Sequence, residues 1–248
     1  MALRAFANGA LFADATGSGP PRVIALHGWA RRGADFRQVL EGLDALAVDL
    51  PGFGASPPPE EVIGADGYAT VLAGLLDGMD RPPVLVGHSF GGRVAVCLAA
   101  RYPDRVGPLV LTGVPLLRLE PGRNPSLGYR WARALNRMGM VSDQRMERIR
   151  RERGSADYRA ASGVMRDILV KAIHESYEPQ LESLKSPVSL LWGEADTEVP
   201  VEVARRAVEM ITGAGGEAEL EVLGEIGHLV PLQAPGALRR VIDEAMAR

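Results

Sequence analysis

The residue in this sequence best placed to act as a nucleophile is Ser89. It lies within the sequence GHSFGG, directly after the apolar run 83–86 and before a helical pattern over 91–101. This is the pattern G-x-S-x-G in a strand–turn–helix setting, where glycines allow the backbone to pack closely around a sharp turn. A serine hydroxyl presented on such a turn is suited to attack an acyl carbon.

A serine nucleophile needs a base, and the base needs a group that orients it. Of the four histidines, His228 is the one in a late loop, after the apolar run 218–223, where it could meet a serine near the centre of a sheet. Three carboxylates follow the run 188–192, and any of them could orient a histidine. They are Glu194, Asp196 and Glu198. The residues by themselves leave the choice among these three open.

The hydrolysis of an acyl group also requires donors for the oxyanion that develops. The run 23–26 is followed by His27-Gly28-Trp29, where Gly28 would let the backbone turn so that the Trp29 N–H points into the site. The N–H of Phe90, next to the serine, would be the second donor. An ordinary turn at the end of a strand, with His27 in the core, is the alternative interpretation of the His-Gly pair.

Composition narrows the class of protein. The chain has 248 residues, and the 46% that are hydrophobic are enough for a globular core. Its net charge of −3 argues against nucleic-acid binding. The single cysteine, Cys97, excludes an internal disulfide and a cysteine-rich metal site. No apolar run approaches the roughly 20 residues of a membrane-spanning helix, and the first residues lack a signal-peptide pattern. We therefore expect a cytoplasmic protein with no membrane span, and the oligomeric state stays open.

The elements that must position these residues follow from hydrophobic patterning. Six short apolar runs alternate with helical patterns, and this alternation predicts an α/β protein with a mostly parallel sheet. The runs are 23–26, 45–48, 83–86, 109–111, 188–192 and 218–223, and the helices are near 66–80, 91–101, 201–212 and 235–247. Asp66 is a candidate N-cap of the first helix. Residues 3–13 predict a hairpin with its turn at Asn8-Gly9.

One segment differs from the rest in charge and pattern. Residues 115–180 hold 13 basic and 8 acidic residues, whereas the remainder of the chain holds 15 basic and 23 acidic ones. Residues 124–178 show no strand pattern and are interpreted as several helices. We therefore predict a helical cap over 115–182, inserted into a core domain formed by 1–114 and 183–248.

Together, these motifs resemble the α/β-hydrolase fold superfamily of serine hydrolases over essentially the whole chain. The matching sequences are HGW at 27–29, DLPGFGAS at 49–56, GHSFGG at 87–92, GEAD at 193–196 and GH at 227–228. The resemblance implies a mostly parallel central sheet with helices on both faces and a small helical cap. It also implies a triad of Ser89, Asp196 and His228, because the acid usually takes the fourth place of the G-x-x-D loop. Trp29 and Phe90 would form the oxyanion hole.

Within that superfamily the chain resembles small carboxylesterases of the pimeloyl-ester type, cofactor-less perhydrolases and C–C hydrolases. The resemblance implies a serine hydrolase that cleaves a small-molecule carboxylic ester, with no metal or organic cofactor. A C–C bond hydrolase of the meta-cleavage-product type and a non-catalytic ligand receptor are the alternatives. The candidate substrate-binding residues are Gly28, Arg31, Trp131, Met138 and Met165. Packing within the cap and core is the other interpretation of these side chains.

Overall fold

The fold is built on one eight-stranded sheet. The computed structural model describes residues 2–77, 79–118 and 156–248. The strands are β1 (Ala2–Phe6), β2 (Leu11–Thr16), β3 (Val23–Leu26), β4 (Ala45–Asp49), β5 (Val84–His88), β6 (Leu109–Thr112), β7 (Val188–Gly193) and β8 (Ala218–Leu223). Their order is β1-β2-β4-β3-β5-β6-β7-β8, and the pairs from β4 to β8 are parallel. The predicted mostly parallel sheet is confirmed.

Helices cover both faces of this sheet. Those described are α1 (Ala65–Leu72), α2 (Phe90–Arg101), α3 (Ala156–Ala160), α4 (Gly163–His174), α5 (Glu178–Glu182), α6 (Val201–Gly213), α7 (Val230–Gln233) and α8 (Pro235–Met246). Successive side chains of a strand point to opposite faces. Ile24 and Leu85 accordingly pack in the cluster that includes α1, α2 and α6, whereas Val23 and Val86 pack with α8. The continuous apolar runs of the sequence therefore come from strands that are buried on both sides.

The predicted hairpin is present, and one predicted helix is shorter than expected. Strands β1 and β2 pair antiparallel, with Asn8 at φ 55° in the turn between them. The helix expected over 66–80 ends at Leu72 and continues only as a 3-10 turn over Ala73–Leu76. Gly74 lies within that turn, and glycine is a weak helix former because its backbone loses more entropy than that of other residues.

The prediction that Asp66 caps α1 is wrong. The N-cap residue is Gly64, and the Asp66 carboxylate instead pairs with Arg101 Nη1 at 3.0 Å. The Ala65 N–H, which has no partner within the helix, donates instead to Glu175 Oε2 at 3.2 Å. A side chain 110 residues away therefore does what a local cap was expected to do.

The segment 163–182 is fastened to the two core helices α1 and α2. Besides the bond from Ala65 to Glu175, Arg93 Nη1 on α2 donates to the Ala172 carbonyl at 2.6 Å, in the last turn of α4. A cation is favourable at that place because the carbonyl end of a helix carries partial negative charge. The Tyr177 hydroxyl also donates to Glu175 Oε2, at 2.8 Å. These contacts hold α4 at a defined position over the carboxyl edge of the sheet.

The predicted division into a core and a cap over 115–182 stays a prediction, since residues 119–155 lie outside the described part of the chain. Between β6 and β7 the structure describes helices α3, α4 and α5. Across the three described ranges, no helix has the length and apolar character needed to cross a membrane.

Candidate active site

Ser89 occupies the turn between β5 and α2, at the carboxyl edge of the sheet. Its backbone has φ 51° and ψ −117°, a conformation that costs a side-chain-bearing residue roughly 1–3 kcal/mol. The Ser89 N–H donates to the Thr112 carbonyl of β6 at 2.9 Å, which secures the turn. Gly91 is required next to it, because a Cβ at that position would clash with the Leu26 carbonyl oxygen. Strain of this kind concentrates at functional sites.

Asp196 and His228 meet at the same edge of the sheet. His228 Nδ1 lies 2.8 Å from Asp196 Oδ2, and both side chains are largely buried. Asp196 Oδ1 accepts the backbone N–H groups of Glu198 and Val199 at 2.9 and 2.8 Å. Burial would raise the pKa of Asp196, but the hydrogen bonds from His228 and Val199 outweigh it and lower the pKa. The carboxylate is therefore ionised and oriented toward one nitrogen of the imidazole.

The other two acidic side chains of this loop are placed differently. Glu194 is exposed, and within the described ranges its hydrogen bond is a backbone one, from its N–H to the Leu223 carbonyl at 2.9 Å. Glu198 is also exposed, and its Oε2 lies 3.6 Å from His228 Nε2, the nitrogen that faces away from Asp196. The loop is anchored by the buried Trp192, whose indole N–H donates to the Val199 carbonyl at 2.9 Å. Only Asp196 among the three is placed to orient His228 through Nδ1.

Ser89 and His228 are linked through the residue that precedes the serine, and no hydrogen bond joins the two side chains. The ring of His88, the residue preceding the serine, is 4.9 Å from the ring of His228. In the part of the chain that the structure describes, the Ser89 hydroxyl has no hydrogen-bond partner. Hydrogen bonds of catalytic groups are often long in unliganded proteins and shorten only when substrate binds.

The loop after β3 passes directly over Ser89. A Cβ atom built on Gly28 would lie 3.3 Å from Ser89 Cβ, so the backbone of this loop approaches the serine closely. Within the described ranges, the N–H groups of Trp29 and Phe90 have no acceptor, as donors reserved for an oxyanion would require. The loop is held by the buried His27, whose Nε2 accepts the Leu50 N–H at 3.0 Å. His27 therefore lies in the core, as the alternative interpretation of the His-Gly pair expected.

A cavity of about 240 Å³ lies between the Trp29 loop and the segment after residue 156. Trp29 and Phe53 form an aromatic wall, with ring centroids 5.0 Å apart, and Met165 of α4 faces them. Of the candidate substrate-binding residues, Met165 lines this cavity, whereas Arg31 does not and pairs with Asp35 at 2.5 Å. Trp131 and Met138 lie outside the described residues. Among the described residues that line the cavity, the charged side chain is Asp157.

Comparison with known families matches this architecture. The model of the alpha/beta hydrolase family covers residues 23–241, which include Ser89, Asp196 and His228. The chain belongs to the α/β hydrolase family.

Relatives of this α/β hydrolase carry several different names. A 2-hydroxy-6-oxononadienedioate/2-hydroxy-6-oxononatrienedioate hydrolase from Paraburkholderia phymatum is 30% identical over 86% of this chain and 82% of its own. A pimeloyl-[acyl-carrier protein] methyl ester esterase from Chromobacterium violaceum is 42% identical, over 41% of this chain and 39% of its own. The structure of a meta-cleavage product hydrolase from Pseudomonas fluorescens is similar with a TM-score of 0.70 and 24% identity, covering 100% of this chain and 97% of that one.

Gly113 is a residue of the α/β hydrolase site that the sequence analysis did not identify. It follows β6 at φ 56°, and a Cβ built on it would lie 2.9 Å from both Cε1 and Nδ1 of His228. The same Cβ would lie 3.4 Å from Asp196 Oδ2. The only signal in the sequence is a glycine at the end of a strand, which is common in ordinary turns. Spacing could not indicate its role, because the contact with His228 spans more than a hundred residues.

We expect the Gly113→Ala variant to fold but to lose roughly 100-fold in kcat, because a misplacement of about 1 Å at a catalytic group can cost that much. The new methyl group pushes the His228 ring away from its position beside Asp196. Steady-state hydrolysis of an ester substrate measures the loss. Gly215→Ala is the matched control, since Gly215 has φ 88° and no atom within 4 Å of a built Cβ. Equal losses in the two variants would assign the effect to backbone strain alone.

The buried histidine that precedes Ser89 should make this α/β hydrolase sensitive to acid. Burial lowers the pKa of His88 to about 3, so the folded protein keeps it neutral while the unfolded chain binds a proton below its ordinary pKa near 6.5. The contribution of neutral His88 to folding stability is therefore present above about pH 6.5 and is lost as the pH falls below that value. Between about pH 7 and about pH 5, the free energy of unfolding should fall by about 2 kcal/mol more in wild type than in His88→Gln.

Urea unfolding at the two pH values measures this difference. His174→Gln is the control variant, because it also removes one imidazole but at an exposed position. The same acid dependence in wild type and His88→Gln would contradict the assignment.

Proposed function

We propose that this α/β hydrolase is a serine hydrolase that cleaves a carboxylic ester of a small molecule through an acyl-enzyme intermediate on Ser89. The observation that carries the proposal is the placement of Ser89 in a strained strand–helix turn, directly after His88, whose ring lies 4.9 Å from that of His228 in the hydrogen-bonded pair with Asp196. A conformation that costs free energy is retained where function requires it.

In the proposed mechanism His228 Nε2 accepts the Ser89 proton while Oγ attacks the acyl carbon. Asp196 keeps the proton of His228 on Nδ1 and stabilises the imidazolium. The N–H groups of Trp29 and Phe90 donate to the oxyanion. As the intermediate collapses, His228 returns the proton to the alkoxide that leaves, and the acyl group stays on Ser89. His228 then removes a proton from water, whose oxygen attacks the acyl carbon. The bond between that carbon and Ser89 Oγ breaks, the acid is released, and His228 returns the proton to Oγ.

C–C bond hydrolysis is the second candidate, and the names of the relatives that match over most of the chain favour it. A dienedioate carries two carboxylates, and a site for it needs cationic side chains to offset their charge. In the described portion of the cavity next to Trp29, the charged side chain is instead the Asp157 carboxylate. The nearby Arg31 is engaged by Asp35. The described lining of this cavity therefore supplies an anion and no cation, and the choice between the two candidates depends on substrate tests.

Two measurements on the purified protein test the proposal. We expect a serine-reactive fluorophosphonate to label the protein once, and short p-nitrophenyl esters to be turned over with release of nitrophenolate. A vinylogous 1,5-diketone bearing a carboxylate serves as the C–C substrate in a parallel assay. Faster cleavage of the diketone than of any ester would favour the second candidate. Labelling without turnover of either substrate would favour a ligand receptor.

A further inference from the structure

The proposed mechanism makes no use of His88, although this residue directly precedes the nucleophile and its ring lies 4.9 Å from that of the general base. It is 3% exposed and belongs to the last residue of β5. We propose that His88 is a positioning residue, a neutral imidazole protonated at Nδ1 that supports the ring of His228 and stays uncharged when His228 becomes an imidazolium. The inference rests on the proposed function only where turnover is concerned.

The protonated nitrogen of His88 follows from its partners. His88 Nδ1 lies 3.1 Å from the Thr112 carbonyl oxygen and 2.9 Å from Thr112 Oγ1. A carbonyl oxygen can only accept a hydrogen bond, whereas the Thr112 hydroxyl can donate or accept one, so a proton on Nδ1 satisfies both contacts and leaves Nε2 as an acceptor. Thr112 is the register partner of His88 on β6, and its carbonyl also accepts the Ser89 N–H. The strand pairing that secures the nucleophile therefore fixes the His88 ring as well.

The free nitrogen of His88 points toward the loop that passes over the serine. A Cβ built on Gly28 would lie 3.5 Å from His88 Nε2 and 3.2 Å from its Cδ2. A larger residue at position 28 would press on the His88 ring as well as on Ser89. His88 thus forms the floor of the site beneath this loop, and the ring cannot rotate without breaking its bonds to Thr112.

The ring of His228 is enclosed by groups from several elements. His88 of β5 lies 4.9 Å from it, at an interplanar angle of 50°. Gly113 after β6 packs against its Nδ1 and Cε1. Asp196 and Glu198, both after β7, face Nδ1 and Nε2. His88 is the one member of this enclosure within the described residues that presents a planar ring held by hydrogen bonds, so it limits how far the His228 ring can move.

The absence of charge on His88 matters as much as its position. Burial lowers its pKa, and the neighbouring His228 and Arg31 oppose a second positive charge there, whereas Asp196 favours one. A protonated His88 would repel the imidazolium that forms on His228 during each turnover. Nδ1 of His88 already donates to Thr112, and burial disfavours a second proton on Nε2. His88 therefore stays neutral when the neighbouring His228 becomes charged.

Nitrogen-15 NMR of the histidine imidazoles of the wild-type protein tests the tautomer directly. We expect the His88 signals, assigned by their loss in His88→Gln, to show protonated Nδ1 and unprotonated Nε2 from about pH 5 to about pH 8. This arm needs no substrate, so it stands even if the proposed function fails. A proton on Nε2, or protonation of His88 within this range, would overturn the proposal.

The positioning role is tested by kinetics together with a second NMR signal. In His88→Gln we expect kcat to fall roughly 10- to 100-fold with KM nearly unchanged. The low-field proton shared by His228 and Asp196 should broaden or shift in the same variant. His27→Gln removes another buried histidine of the site region that does not contact the His228 ring, and should lose stability with that proton resonance in place. Wild-type kcat and an unshifted proton in His88→Gln would show that His88 is only part of the core.

Discussion

The Ser89→Ala variant is expected to fold like wild type and to lose ester turnover roughly a thousandfold or more, together with all fluorophosphonate labelling. Removal of a triad nucleophile typically costs several orders of magnitude in kcat, because no other group can form the acyl-enzyme. Alanine fits the position, since it lacks only the Oγ atom and the described structure gives that atom no hydrogen bond. Thermal unfolding and circular dichroism measure the fold, and release of nitrophenolate measures the turnover.

Ser189→Ala is the matched control for this experiment. Ser189 lies on β7, and its hydroxyl donates to Glu219 Oε1 at 2.8 Å, on a different part of the sheet. This variant should be labelled and should turn over esters as wild type does. Residual turnover in Ser89→Ala above roughly a tenth of the wild-type value would remove Ser89 from the role of nucleophile.

The Asp196→Asn variant is expected to lose roughly 10⁴-fold in kcat while its fold persists, as occurs when the triad acid becomes an amide. An amide presents an N–H group to His228, so the histidine proton moves to Nε2 and the ring can no longer accept the Ser89 proton. The three hydrogen bonds that Asp196 receives in the native protein account for its well-defined position. The pH-independent value of kcat with a p-nitrophenyl ester measures the loss.

Glu194→Gln and Glu198→Gln are the controls in the same loop. Glu194 is exposed and makes no side-chain hydrogen bond in the described part of the chain, so its replacement should change kcat by less than about threefold. Glu198 faces the other nitrogen of His228 across 3.6 Å and should have a small effect too. A larger loss in either glutamate variant than in Asp196→Asn would transfer the orienting role to that glutamate.

The sheet could be predicted from the sequence because each of its central strands is apolar on both faces. The runs at 23–26 and 109–111, for example, lie between helices on either side of the sheet, and no polar residue interrupts their apolar sequence. Helix ends were harder to predict. The start of α1 depends on Glu175, and no local pattern around Asp66 could indicate a partner 110 residues away.

The candidate site shows the same contrast between local and distant contacts. The pattern around Ser89 is local, because the glycines that allow its turn lie within three residues of it. The pairing of His228 with Asp196 rather than with Glu194 depends on a loop that Trp192 anchors through the Val199 carbonyl. Gly113 and His88 contact His228 only after β6 and β8 have taken their places in the sheet. Residues whose role depends on sheet order therefore could not be predicted from spacing.

The long-range capping of α1 by Glu175 limits how segments could be exchanged between members of this family. A recombinant that takes all of its residues between β6 and β7 from another parent replaces Glu175 and the helix whose Ala172 carbonyl accepts from Arg93. α1 then loses its partner unless the new parent also has a carboxylate at that place, and Arg93 keeps its bond only if the new helix lies at the same position. A crossover placed just before Gly163 keeps these contacts and still exchanges most of the insertion. Libraries of chimaeric hydrolases built on this chain should therefore contain more folded proteins when the second crossover precedes α4 than when it follows α5.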